Sequence, residues 1–333
     1  MILNFYSSNF SPTSSPNIIN GWEQLQIQEV DLLHAAYTVG RANRFSILRH
    51  GIYSIYEMIY RTAMIRANLL ENRSGYLTKS PAYKSLDPSE KGAVSYFIGM
   101  TVVKLLAEFK LDVPYIMHLE VYENIIRRRV GNITYRNGLS RPDFIAMNNS
   151  LEWFVFESKG RSNNITSGLI EDAKEQSKMI RTIGGIRPII KSACVSYFHR
   201  NILTAEWMDP TEEHEFINID LPEINPIKFI RDYYKPFFDL VDRNSLSRNP
   251  DFTIFNFANI GVSIRFPEIL FRKIQEKELT EEKLSDILKE TESIQFNKTS
   301  LSKKGKDGII IELDESWAGM LRNNIQDENS QSN

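Results

Sequence analysis

Residues 151–159, LEWFVFESK, constrain this chain more than any other stretch. Trp153, Phe154, Val155 and Phe156 demand burial in a sheet, yet the run ends in Glu157 and Lys159. Side chains on a strand alternate with period two, so Trp153, Val155, Glu157 and Lys159 share one face while Phe154 and Phe156 point to the other. A carboxylate and an ammonium therefore stand side by side at the end of a strand that belongs in a core. Fourteen positions earlier, Asp143 opens a second apolar run, RPDFIAM, directly after Pro142. Proline cannot donate a ladder hydrogen bond and so favours a strand end or edge. If the two strands pair, Asp143 reaches Glu157. Two carboxylates that close repel, and each holds its proton unless a cation sits between them. A hard divalent ion resolves this, taking oxygen ligands from two carboxylates, a backbone carbonyl and water.

The rest of the chain gives that pair its setting. With 333 residues, 42% hydrophobic and 25% charged, there is material for one large core or two smaller ones. The first twenty residues, rich in Ser, Asn and Pro, read as an irregular arm. Residues 43–70 have the spacing of one or two amphipathic helices. Asp87, Pro88 and Glu90 make a strong helix start, with Asp87 as N-cap and Glu90 closing a capping box, and Pro114 marks the far end. Short β-branched and aromatic runs follow (YIMHLEVY, NIIRRRVGNITYR, RPDFIAM, LEWFVFESK), and they predict strands. Residues 168–183 return to helical spacing up to Gly184 and Gly185, and RPIIKSACVSYF reads as a buried strand. Past residue 200, TEEHEF and LPEINP are loop-like, KFIRDYYKPFFDLV and LTEEKLSDILKE helical, DGIIIELDESW a strand pair, and DENSQSN disordered.

Pro142-Asp143, Glu157-Ser158-Lys159 and the order helix, three strands, helix, strand resemble the PD-(D/E)xK superfamily, the restriction-endonuclease-like nucleases. The resemblance covers roughly residues 87–200. It implies a mixed α+β class whose core is a small mixed sheet flanked by helices (αβββαβ), and it leaves unexplained the N-terminal arm and helical region at 1–86, the mixed C-terminal accessory region at 201–325 and the tail at 326–333. It further implies that Asp143, Glu157 and the Ser158 carbonyl bind Mg²⁺ or Mn²⁺ and that Lys159 assists the attacking water. Such nucleases often carry a Gln near the site, here Gln176, which interrupts the stripe Leu169, Ala173, Ile180, Ile183. They also tend to place an acid on the preceding helix. Glu90 is the first choice, while Glu108, on the same face five whole turns on, and Glu57 in the earlier helix stay open.

Net charge of −2 says nothing of a polyanion partner, so a local basic patch is needed. Arg127, Arg128, Arg129, Arg136, Arg141 and Arg161 crowd the segment that carries the motif, and they are expected to grip phosphates. The expected activity is a metal-dependent nuclease, most simply a DNA endonuclease in bacterial defence or restriction, acting in the cytoplasm, with a homodimer or an operon-encoded partner possible. The alternative is a catalytically silent nucleic-acid-binding or scaffold protein of the same fold. Cys194 is alone, excluding an internal disulfide, and reads as a packed thiol. His34, His50, His118, His199 and His214 lack metal-ligand spacing. The most apolar helix-like stretch, residues 92–109, is broken by Lys104, too soon for a membrane span.

Overall fold

The computed structural model describes residues 1–39, 52–122, 141–209, 219–241, 247–248, 251–258 and 261–317. Arg127, Arg128, Arg129 and Arg136, the TEEHEF run and the tail at 326–333 lie outside these. The class is mixed α/β, with eight α-helices among the described residues.

The chain opens with β1 (Ile2–Ser8) and β2 (Gly21–Gln26), where an irregular arm was expected. Leu3, Phe5 and Ser7 are fully buried, and β1 is interior, parallel to β10 (Ile202–Met208) on one side and antiparallel to β2 on the other. Its apolar alternation is only two residues long, and its partner lies some two hundred positions away, so nothing local announces it. Helices α1 (Glu29–Thr38) and α2 (Ile52–Arg66) follow, then β3 (Leu69–Glu71), β4 (Leu77–Lys79) and α3 (Pro81–Ser85). The long helix α4 (Pro88–Leu111) starts as the sequence requires: the Asp87 side chain accepts from Ser89 and Glu90 N–H, and Glu90 accepts from Asp87 N–H. It ends at Asp112 in the left-handed region (φ 56°).

The segment expected to carry the core follows in the expected order. Strands β5 (Tyr115–His118), β6 (Phe144–Met147) and β7 (Trp153–Gly160) lead to α5 (Ser167–Ser177), a short β8 (Ile180–Ile183) and β9 (Ile190–His199). The main sheet runs β2-β1-β10-β9-β7-β6-β5, with β4 pairing β10 and β3 pairing β4, so the N-terminal strands belong to the same nine-stranded sheet as the core. The helix expected over 168–183 stops at Ser177. Ile180, Thr182 and Ile183 are β-branched and pair parallel with β11 (Ile219–Leu221) instead. Leu169 and Ala173 do face the sheet, packing on Ala193, Val195 and Met208. Cys194 is buried, and burial pushes its thiol far up.

The C-terminal region adds α6 (Pro226–Val241), β12 (Ser247–Arg248), β13 (Phe252–Phe257), β14 (Val262–Pro267), α7 (Glu268–Lys273), α8 (Glu281–Ser293), β15 (Ser302–Lys304) and β16 (Ile310–Leu313). A second, antiparallel sheet runs β12-β13-β14-β16-β15. The strand pair expected from DGIIIELDESW is the single strand β16 and a 3₁₀ turn at Glu315–Trp317.

Among the described residues, α4 is the one helix long and apolar enough to cross a membrane, and most of it is inside the protein. It crosses β7 and β9 beneath α1 and α2. Its far half carries a buried ion network. Lys104 Nζ lies 3.5 Å from Glu108 Oε2 and 3.9 Å from Asp307 Oδ2; His34 Nε2 is 3.2 Å from Asp307 Oδ1; Lys303 Nζ bridges Glu108 (3.2 Å) and Asp31 (3.3 Å). Tyr233 donates to Asp307 at 2.6 Å. Burial opposes the charge on Glu108, but Lys303, Lys104 and His34 overcome it and hold the carboxyl well below the usual range. The network ties the turn between β15 and β16 to α1 and α4. Asp307→Ala would take a buried carboxylate away from Lys104 and Tyr233, and it is expected to cost about 3–5 kcal/mol by chemical denaturation. A loss below about 1 kcal/mol would contradict this role.

Candidate active site

β6 and β7 pair antiparallel from Met147↔Trp153 to Phe144↔Phe156. Continuing the register puts Asp143 opposite Glu157 and Pro142 opposite Ser158. There the ladder opens. Asp143 N–H donates to Glu157 Oε2 (2.9 Å), and Ser158 N–H donates to Asp143 Oδ2 (3.1 Å). Each carboxylate thus satisfies a backbone donor that the ladder has released. The N–H and C=O of one strand residue point to the same side, so the Ser158 carbonyl faces the same edge as its N–H, where Pro142 has no N–H to offer. The Pro-Asp pair frees a carbonyl and places a carboxylate beside it.

Three of the expected side chains meet on one face of β7. Lys159 Nζ is ion-paired with Glu157 Oε1 and donates to Gln176 Oε1 at 2.7 Å. Gln176, mostly buried on α5, finds its partner there. Glu157 is 1% exposed, so its ion pair with Lys159 and its hydrogen bond from Asp143 N–H are made inside the protein. Burial first and then the charge of Asp143 raise Glu157 to about 8, against the pull of Lys159 and the Asp143 N–H. Burial also raises Asp143, opposed by Lys159, the Ser158 N–H and Arg141.

The other face of β7 packs on α4. Gly160 is required there, since a Cβ would overlap the carbonyl of Ser95, and a Cβ at Gly99 would press on Ser158 Oγ and the Gly160 backbone. This contact draws α4 against the end of β7 and brings in two residues that sequence reasoning missed. Tyr96 on α4 has its hydroxyl 3.1 Å from His118 Nε2, and that nitrogen is 3.9 Å from Asp143 Oδ1. His118, set aside in the sequence because the histidines lack metal-ligand spacing, is buried at the end of β5, one strand over from Asp143. Burial, with Arg141 beside it, lowers its imidazole to about 4. The signal available was register: His118 pairs with Phe144, so it stands next to Asp143.

The acids expected from the helices do not join the pair. Glu90 is exposed and its carboxylate is occupied by the capping box at the start of α4. A box closed by local backbone geometry keeps it at the surface. Glu108 is committed to the buried network, and Glu57 pairs with Arg61 at 3.2 Å. Arg141 and Arg161 flank the site in sequence and are half-buried and exposed respectively.

Among the described residues no three or more His, Cys, Asp and Glu side chains gather into a metal cage. The donor set of Asp143, Glu157 and the Ser158 carbonyl nevertheless suits a hard cation that keeps several waters, since all three offer oxygen and backbone N–H groups hold both carboxylates in place. Comparison with family models, with curated proteins and with solved structures finds no match.

Proposed function

We propose that the protein is a metal-dependent nuclease that hydrolyses phosphodiester bonds, with Asp143, Glu157 and the Ser158 carbonyl as metal ligands and Lys159 as the residue that orients the attacking water. The observation that carries this reading is the meeting of a buried carboxylate, a half-buried one and a lysine at an opened ladder end, at a strand edge with no ladder donor. A core with no chemistry to perform has no need of such a pair, because its burial costs stability. A bound Mg²⁺ or Mn²⁺ would neutralise charge on the phosphate and make water acidic enough to attack. Lys159, held between Glu157 and Gln176, is fixed where it can steer that water. Gln176 acts through Lys159, as a positioning residue. Arg161 is available for phosphate contact, and DNA is the favoured substrate.

One observation favours a second reading, a catalytically silent nucleic-acid-binding or scaffold protein. None of Glu57, Glu90 and Glu108 completes the site, and Lys159 already lies against Glu157. The deciding experiment incubates the chain with plasmid, linear duplex, single-stranded DNA and RNA. Cleavage is expected with Mg²⁺ or Mn²⁺, to vanish in chelator and to fail with Ca²⁺. Binding without cleavage under every metal would favour the silent protein, and undiminished cleavage in chelator would remove the metal assignment.

A further inference from the structure

We propose that the Tyr96 hydroxyl is a phosphate ligand of this site, donating a hydrogen bond to a non-bridging oxygen of the phosphodiester, and that His118 is the residue that positions it. The inference rests on the reading of the site as a phosphodiester hydrolase.

Asp143 is approached from both faces of the sheet. Glu157 reaches it from the α5 side, with Lys159 and Gln176 behind, and His118 from the α4 side, with Tyr96 behind. The first group supplies negative charge and one cation. The second supplies one neutral donor, the Tyr96 hydroxyl, which a phosphate already facing two carboxylates can accept without further repulsion. The Tyr96 ring is 40% exposed, while its neighbour Phe97 is buried, so the ring stands at the mouth of the site rather than in the core. Its hydroxyl has one hydrogen-bond partner among the described residues, His118 Nε2.

The direction of that bond decides what the hydroxyl can do. His118 Nδ1 is buried and has no hydrogen-bond partner among the described residues. A buried N–H without an acceptor is rarer in folded proteins than a buried acceptor without a donor. The favoured tautomer therefore leaves Nδ1 bare and protonates Nε2, so Nε2–H donates to the Tyr96 oxygen. The ring is fixed for this by an edge-on contact with Phe144, centroids 5.0 Å apart. The phenolic O–H, unused by His118, is free to turn toward an incoming acceptor, and partial burial, with the fields of Asp143 and Glu157 behind it, keeps it protonated. A tyrosine held only for packing would need neither the exposure nor the histidine.

The test uses the full chain and whichever nucleic acid the wild type cleaves. Tyr96→Phe is expected to lower kcat/KM by about 10- to 100-fold, the range for one hydrogen bond to a charged group, with Mn²⁺ binding and Tm unchanged. Phosphorothioate substitution at the scissile phosphate separates contact from packing. One diastereomer should slow the wild type more than it slows Tyr96→Phe, because the bond it weakens is already absent. His118→Leu should reproduce Tyr96→Phe, and His118→Gln, whose amide restores an N–H donor, should lose less. Wild-type rates in Tyr96→Phe, or a loss with equal thio effects for both diastereomers in both proteins, would overturn the proposal. A wild type that cleaves no nucleic acid under any metal would instead overturn the nuclease reading, and this inference with it.

Discussion

Glu157→Gln is expected to stop turnover and, in the metal-free protein, to raise stability. The sign follows from linkage. Burial lifts the folded-state carboxyl to about 8 from an ordinary 4.5, so between those values the folded state holds more protons than the unfolded state. Stability contributed by this group is therefore greatest below about pH 4.5 and falls as pH rises towards 8. Glutamine keeps the shape and can still accept from Asp143 N–H, but it carries no charge to desolvate. At pH 8 the variant should gain roughly 1–3 kcal/mol, and the difference between wild type and variant should shrink towards pH 5. Turnover should fall at least ~10³-fold, because losing a metal ligand removes several kcal/mol of transition-state stabilisation. Denaturant melts at pH 5 and 8 check the first claim. A variant less stable than the wild type at pH 8 would mean the buried pair is a structural bond, not a strained site.

Lys159→Ala is expected to lower turnover by about 10²- to 10⁴-fold and to leave metal binding intact. The two acids and the Ser158 carbonyl do not depend on the lysine for position, since backbone N–H groups hold both carboxylates. Removing its charge leaves the acids more in need of a cation, so Mn²⁺ should bind at least as tightly. Lys159→Arg should rescue little, because a planar guanidinium cannot take the place of a compact ammonium between Glu157 and Gln176. Single-turnover rates give the comparison. Near-normal rates in Lys159→Ala would return this residue to the status of a lysine at a strand end.

How far the sequence was legible depended on how local each signal was. The capping box at Asp87 and Glu90 is written in four residues and was readable; the same closure made Glu90 a poor candidate for the site. The faces of β7 follow from period two, so Glu157 with Lys159 was also readable, and Gln176 betrayed itself as a polar residue among apolar ones on α5. What could not be read was contact at a distance. β1 looked like an arm because its parallel partner β10 lies at the other end of the core segment. Ile180 and Ile183 fitted a helical stripe by spacing, and only pairing with β11 decides for a strand. Glu108 looked equivalent to Glu90 on the helix face, and its commitment to Lys303 and Lys104 depends on a turn two hundred residues later. Tyr96 and His118 were missed because neither fits a motif, and they meet only where Gly160 lets α4 close on β7.

The central claim is that Asp143 and Glu157 form one metal site that serves hydrolysis, and a Mn²⁺ titration followed by electron paramagnetic resonance at pH 8 tests it most directly. The account predicts a site in the wild type and in Lys159→Ala that is lost in Glu157→Gln and in Asp143→Asn, with protons released on binding because metal displaces them from Glu157. Binding that survives in both carboxylate variants, or no binding to the wild type at millimolar Mn²⁺, would contradict it.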